Sequence, residues 1–140
     1  MLVKLDTDAV TGKLADLCAG LLEQEGYKSM RKMIDRFAGD VDAITQYERF
    51  AERQEALQQK EAQGQEPAPE EISAYEQAEL ALYENEVIRQ FMYAQRELSQ
   101  LHEMVSKYLS LTIELNRLPE PDELKKAGCG CGVSCGSGYP

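Results

Sequence analysis

Three cysteines near the C-terminal end carry the strongest chemical signal in this chain: Cys129, Cys131 and Cys135, within the run from Gly128 to Gly136. Thiolates are soft ligands that select zinc or iron–sulfur centres. The glycines between them allow backbone angles that would turn all three sulfurs onto one metal. Zinc and cubane clusters ordinarily take four protein ligands, so this set is one short. The fourth would come from another chain or a small molecule. An iron–sulfur cluster is the expected cofactor, with zinc as one alternative. The other is no cofactor at all, in a glycine-rich tail with incidental thiols.

The other reactive side chains are isolated. Cys18 lies among Leu14, Leu17, Leu21 and Leu22, which favours a small buried hydrophobe. His102 is the only histidine and sits near Gln95, Ser99 and Ser106, where a solvated side chain is expected. Lys28, Lys32 and Arg36 recur every four residues, with Arg31 beside them, as the one basic stripe. The carboxylates between Glu52 and Glu71 are spread along helix faces and have no ExxH partner motif. No P-loop, dinucleotide fingerprint or supported nucleophile–base pair is present. The expectation is a protein that is not an enzyme.

Charge narrows the partners. Of the 140 residues, 15 are Lys or Arg and 25 are Asp or Glu, a formal charge of −10. Such a field opposes approach to a phosphate backbone, so direct nucleic-acid binding is not expected. No window approaches the roughly 18 uninterrupted apolar residues of a membrane span, and Met1 to Val10 has no apolar signal core. A cytoplasmic location follows as the expectation, with cysteines kept reduced.

The elements that must position these residues are helical throughout. Asp6 or Thr7 can cap a first helix with Val10, Leu14, Leu17, Cys18, Leu21 and Leu22 on one face, and Gly26 is expected to end or bend it. A short second helix turns Tyr27, Met30, Ile34 and Phe37 inward, and Gly39 stops it. Asp40 can cap a third helix running from about Val41 to Gln63, and the stretch from Gly64 to Pro69 reverses the chain. A fourth helix carries Ile72, Tyr75, Ala78 and Leu82 up to Asn85, an internal cap. The longest helix then alternates four and three: Val87, Phe91, Ala94, Leu98, Leu101, Val105, Tyr108, Thr112 and Leu115. Pro119 and Pro121 end it. The expected fold is all-α, an elongated antiparallel hairpin or bundle of about five helices over residues 1–118, followed by a disordered Gly/Cys-rich tail over 119–140.

This order of elements, with a Gly-Tyr bend, a Gln/Glu-rich helix ending in glycine, Glu-Glu-Ile after a proline-bearing turn, and Ala94, Gln95 and Leu98 in an Ala-Gln-x-x-Leu pattern, resembles the YlbF/YmcA family of bacterial competence and biofilm regulators. The resemblance covers about Leu5 to Leu115. It implies a small helical regulator that assembles with paralogues and a third protein. Through those complexes it would influence messenger-RNA processing by endoribonuclease Y, and hence competence, sporulation and biofilm formation. Some complexes of the family hold iron–sulfur clusters on cysteines near the C-terminus. The CxCxxxC spacing here is unusually glycine-rich against that pattern, and no family site residue carries over to the helices.

A non-enzymatic regulatory adaptor is therefore the leading expectation, assembling with itself or related helical subunits. The interface is expected at Leu98, Leu101, Val105, Tyr108, Leu109, Thr112 and Ile113, because apolar residues from Val105 to Leu115 point around more of the helix than one neighbour can cover. A metal or iron–sulfur redox-sensing module is the first alternative. A prefoldin-like holdase is the second, and the polar hairpin tip counts against it.

Overall fold

The computed structural model describes residues 2–130, with side chains through residue 125. Among these the chain is all-helical: α1 (Thr7–Glu23), α2 (Glu25–Ala38), α3 (Val41–Ala62), α4 (Pro69–Glu84), α5 (Glu86–Leu115) and α6 (Pro121–Gly130). It divides into two compact units, Met1–Ala94 and Gln95–Pro140.

Local chemistry explains most helix boundaries in the first unit. The Asp6 carboxylate accepts the Ala9 N–H at 3.1 Å and starts α1. Gln24, in extended backbone, closes α1 and precedes α2, so the break falls two residues before Gly26. Gly26 instead lies in the first turn of α2, where nothing stands within 4 Å of an added Cβ. Asp40 caps α3 by accepting the Ala43 N–H at 2.9 Å. Asn85 Oδ1 accepts from Val87 and Ile88 at 3.0 and 3.3 Å, which restarts the helix as α5 after the break. Its amide also donates to Gln46 Oε1 of α3 at 3.1 Å.

Helices α3 and α4 form the antiparallel hairpin expected from the sequence. The turn between them uses Gly64 at φ +77, a conformation that suits glycine. Pro69 occupies the first turn of α4, where its missing N–H costs nothing. Lys60 Nζ donates to both Glu71 oxygens at 2.6 and 2.7 Å, and Glu71 also accepts the Ala68 N–H at 2.9 Å. One carboxylate thus caps α4 and ties it to the end of α3.

The Lys60 hydrogen bonds, then the Ala68 N–H, hold the Glu71 carboxyl below its ordinary pKa. A depressed folded pKa contributes stability above the unfolded pKa and loses it as pH falls through the folded value. The turn should therefore loosen only in acid, below the usual glutamate range. A magnetic-resonance titration of Glu71 should show a low midpoint that rises in Lys60→Ala. An unchanged midpoint in that variant would show that the clasp does not set it.

The core of this unit is small. Phe37, Ala43, Leu82, Ile88 and Phe91 form one buried cluster, with Ile34, Ile44, Tyr47, Phe50, Val87 and Met92 packed around it. The Phe37 and Phe91 rings stack with centroids 3.9 Å apart, and Tyr47 meets each edge-on at 5.7 Å. Helices α2 to α4 and the start of α5 supply all of it. Helix α1 contributes no buried residue.

In the second unit, Asn116 at φ 61 follows the last residue of α5, and Pro121 then opens α6. Glu123 accepts the Glu120 N–H at 2.7 Å and takes two hydrogen bonds from Arg117 at 2.8 Å. The pairing holds the Arg117 guanidinium above its ordinary pKa. Helix α6 falls within the stretch expected as tail. The capping carboxylate and the Asp122–Glu123 first turn supply the physical reason for it.

Candidate functional site

The sequence-derived metal ligands cannot be placed: Cys131 and Cys135 lie outside the described residues, and so does the Cys129 side chain. Among the described residues no three His, Cys, Asp or Glu side chains gather as a metal site. The carboxylates from Glu52 to Glu71 are accordingly distributed, apart from the Lys60–Glu71 clasp.

The expected interface residues fall into two groups. Leu98, Leu101, Val105 and Thr112 are half-buried, while Tyr108, Leu109 and Ile113 are exposed, Ile113 to 73%. A shallow groove of about 220 Å³ lies between α5 and α6, lined by Gln100, Glu103, Met104, Lys107 and Leu124. At 3.6 residues per turn, the stripe Leu101–Val105–Tyr108–Thr112 sits roughly a third of a turn away from that groove.

The more extensive open face belongs to α1. Val10, Leu14, Leu17 and Leu22 are each about half exposed, between 48% and 57%. Cys18 is a free, exposed thiol, which corrects the expectation of a buried one. The sequence pattern identified the apolar face correctly. Nothing in periodicity says what surface covers such a face, and among the described residues it stays about half exposed.

The basic stripe on α2 is partly committed. Lys28 pairs with Glu25 at 3.3 Å and Arg31 with Asp35 at 3.0 Å, while Arg36 donates to Gln90 at 3.4 Å. Exposed pairs of this kind contribute little to stability but do lower the free positive charge. His102 is exposed, as expected for a solvated side chain.

A groove of about 480 Å³ runs between α3 and α4, lined by Asp42, Thr45, Gln46, Arg49, Phe50, Arg53, Ala78 and Ala81. The residues on α3 recur at helical spacing, so the stripe was present in the sequence. Its polar members lie beside the apolar, core-facing stripe of α3, and Phe50 belongs to both.

These features define a class first: an all-helical protein whose largest apolar helix faces are left open among the described residues. The family model described as control of competence regulator ComK, YlbF/YmcA, matches residues 10–114. The chain belongs to the YlbF/YmcA family. UPF0342 proteins of Bacillus licheniformis and Bacillus velezensis are each 27% identical over 99 residues, covering 71% of this chain and 85% of theirs. A UPF0342 protein of Bacillus pumilus is similar at the same identity, over 84% of its length. No solved structure matches the chain. Among the described residues no helix is long and apolar enough to cross a membrane.

Proposed function

We propose that this protein is a non-enzymatic regulatory adaptor that works by assembling with itself or with related helical subunits in the cytoplasm. The observation that carries the reading is the open apolar face of α1, and the exposed Leu109 and Ile113 of α5 support it. Contiguous apolar surface of this kind is costly to leave in water and usually marks an interface. Membership of a family described by control of a competence regulator agrees with action through other proteins. Its resemblance to regulators of endoribonuclease Y-dependent messenger-RNA processing makes that machinery the expected target. Direct RNA binding is disfavoured by the net charge of −10 and by the paired cations on α2.

The tail thiolates belong to the same proposal. Cys129, Cys131 and Cys135 form a soft donor set that fits an iron–sulfur cluster or zinc, with one position left for a ligand from a partner. A bound cluster would make the assembly responsive to iron or oxidant.

Anaerobic purification of the native assembly, with mass determination and iron, sulfide and zinc assays, tests both halves. The expected result is a mass above one chain, with metal that is lost when the three tail cysteines are replaced by serine. A single-chain mass with no bound protein would refute the adaptor reading. A metal-free assembly would refute the ligand assignment alone.

A further inference from the structure

We propose that the groove between α3 and α4 docks an acidic helical segment of a protein partner, whose carboxylates pair with Arg49 and Arg53. The proposal rests on the adaptor reading and names the chemistry of one of its surfaces. Both arginines line the groove one helical turn apart on α3. Neither pairs with a carboxylate among the described residues, although the chain carries 25 acidic side chains. Arg53 donates one Nη1 hydrogen bond to the Ala74 carbonyl of α4 at 3.1 Å, which anchors it against the groove wall. That leaves the rest of its donor fork available, and Arg49 has no side-chain hydrogen bond or ion pair among the described residues. Guanidinium groups in this state are suited to carboxylates, which they bind in a bidentate manner.

The shape selects a helix. The groove follows two antiparallel helices, and from Asp42 to Arg53 it extends about 16 Å along α3, some three helical turns. Its α4 wall is Ala78 and Ala81, small side chains that allow a third helix to approach closely. Phe50 supplies an apolar floor. The cleft is open to solvent along its side, so a small molecule would stay largely hydrated there, unlike the usual buried ligand. Carboxylates four residues apart on a docking helix would match the Arg49–Arg53 spacing. Asp42, two turns before Arg49, would favour a basic residue two turns from that acidic pair, which sets the direction of the bound helix.

The test uses the full-length protein, isotopically labelled, and a synthetic helical peptide. The peptide carries two glutamates four residues apart, an alanine-rich face, and a lysine two turns away. Amide shifts are expected at Thr45, Arg49, Phe50, Arg53 and Ala78. Arg49→Ala should weaken binding about tenfold, the worth of one charge-assisted contact. Arg49→Glu with Arg53→Glu should abolish it and gain binding to a peptide with lysines in place of the glutamates. Circular dichroism of each variant checks that the helices persist, and Arg49→Ala avoids any disturbance of the Arg53–Ala74 bond. Absence of binding at about millimolar peptide would overturn the proposal, as would unchanged affinity in the double variant. So would shifts at these residues with single-stranded RNA but not with peptide. If the native assembly forms and the peptide does not use the groove, the docking proposal fails and the adaptor reading stands. If the groove binds peptide but no native assembly exists, the reverse holds.

Discussion

Leu82→Ala should cost about 3 kcal/mol of folding stability, the middle of the range for a large-to-small change at a fully buried site. Leu82 is 1% exposed and, with Ile88, is one of the two largest side chains completely enclosed in the core. The loss combines the transfer free energy of the removed methyl groups with the cavity they leave. A core of so few buried residues has little redundancy, and a typical domain holds only about 5–15 kcal/mol in total. Leu80→Ala is the control, because Leu80 lies on the same helix and is 63% exposed. It should change stability by no more than about 0.5 kcal/mol. Urea unfolding followed by circular dichroism reads both, with the midpoint shifting and the slope preserved for Leu82→Ala. Equal shifts in the two variants would mean that the buried cluster is not what holds the first unit together.

Helix starts were legible because capping is local chemistry. Asp6, Asp40 and Asn85 each have a side-chain oxygen that can reach a backbone N–H two or three residues on, and each does so. The reversal between α3 and α4 was legible for the same reason, from Gly64 and Pro69. The inward positions of Phe37, Ile44, Tyr47, Leu82 and Phe91 followed from helical spacing, and all join the core or its margin. The YlbF/YmcA resemblance drew on the same ordered pattern, and the family match over residues 10–114 agrees with it.

What periodicity cannot convey is which surface covers a given face. Leu14, Leu17 and Cys18 have the pattern of buried residues, yet the other described residues leave them exposed. Helix α6 was missed because Pro119 and Pro121 read as a stop, whereas a proline at the first helical position also begins helices. The decisive interaction there is Glu123 with the Glu120 N–H and with Arg117 across the corner, a contact that spacing alone does not single out. The Arg49–Arg53 groove depends on which side of α3 meets α4, and that is a tertiary fact.

Leu14→Asp combined with Leu17→Asp should reduce the protein to single chains while leaving most of its helicity. In the isolated chain both leucines are about half exposed, so the new carboxylates would remain hydrated. The direct cost is then one of helix propensity, a few tenths of a kcal/mol at each position. If the face is covered in an assembly, each carboxylate instead becomes an unpaired charge in an apolar contact, at a cost of several kcal/mol. Two such charges outweigh the affinity of a micromolar complex, about 8 kcal/mol, or come close to it. Light scattering should therefore show the mass falling to one chain, with a small change in circular dichroism. Cys18, exposed beside these leucines in the single chain, gives a second reading. Its alkylation, followed peptide by peptide, should be slow in the wild-type assembly and fast in the double variant. An assembly that keeps its mass and protects Cys18 no better than the variant would show that α1 faces water. The stripe from Leu101 to Thr112 would then have to carry association by itself, and α1 would need another explanation for its leucines.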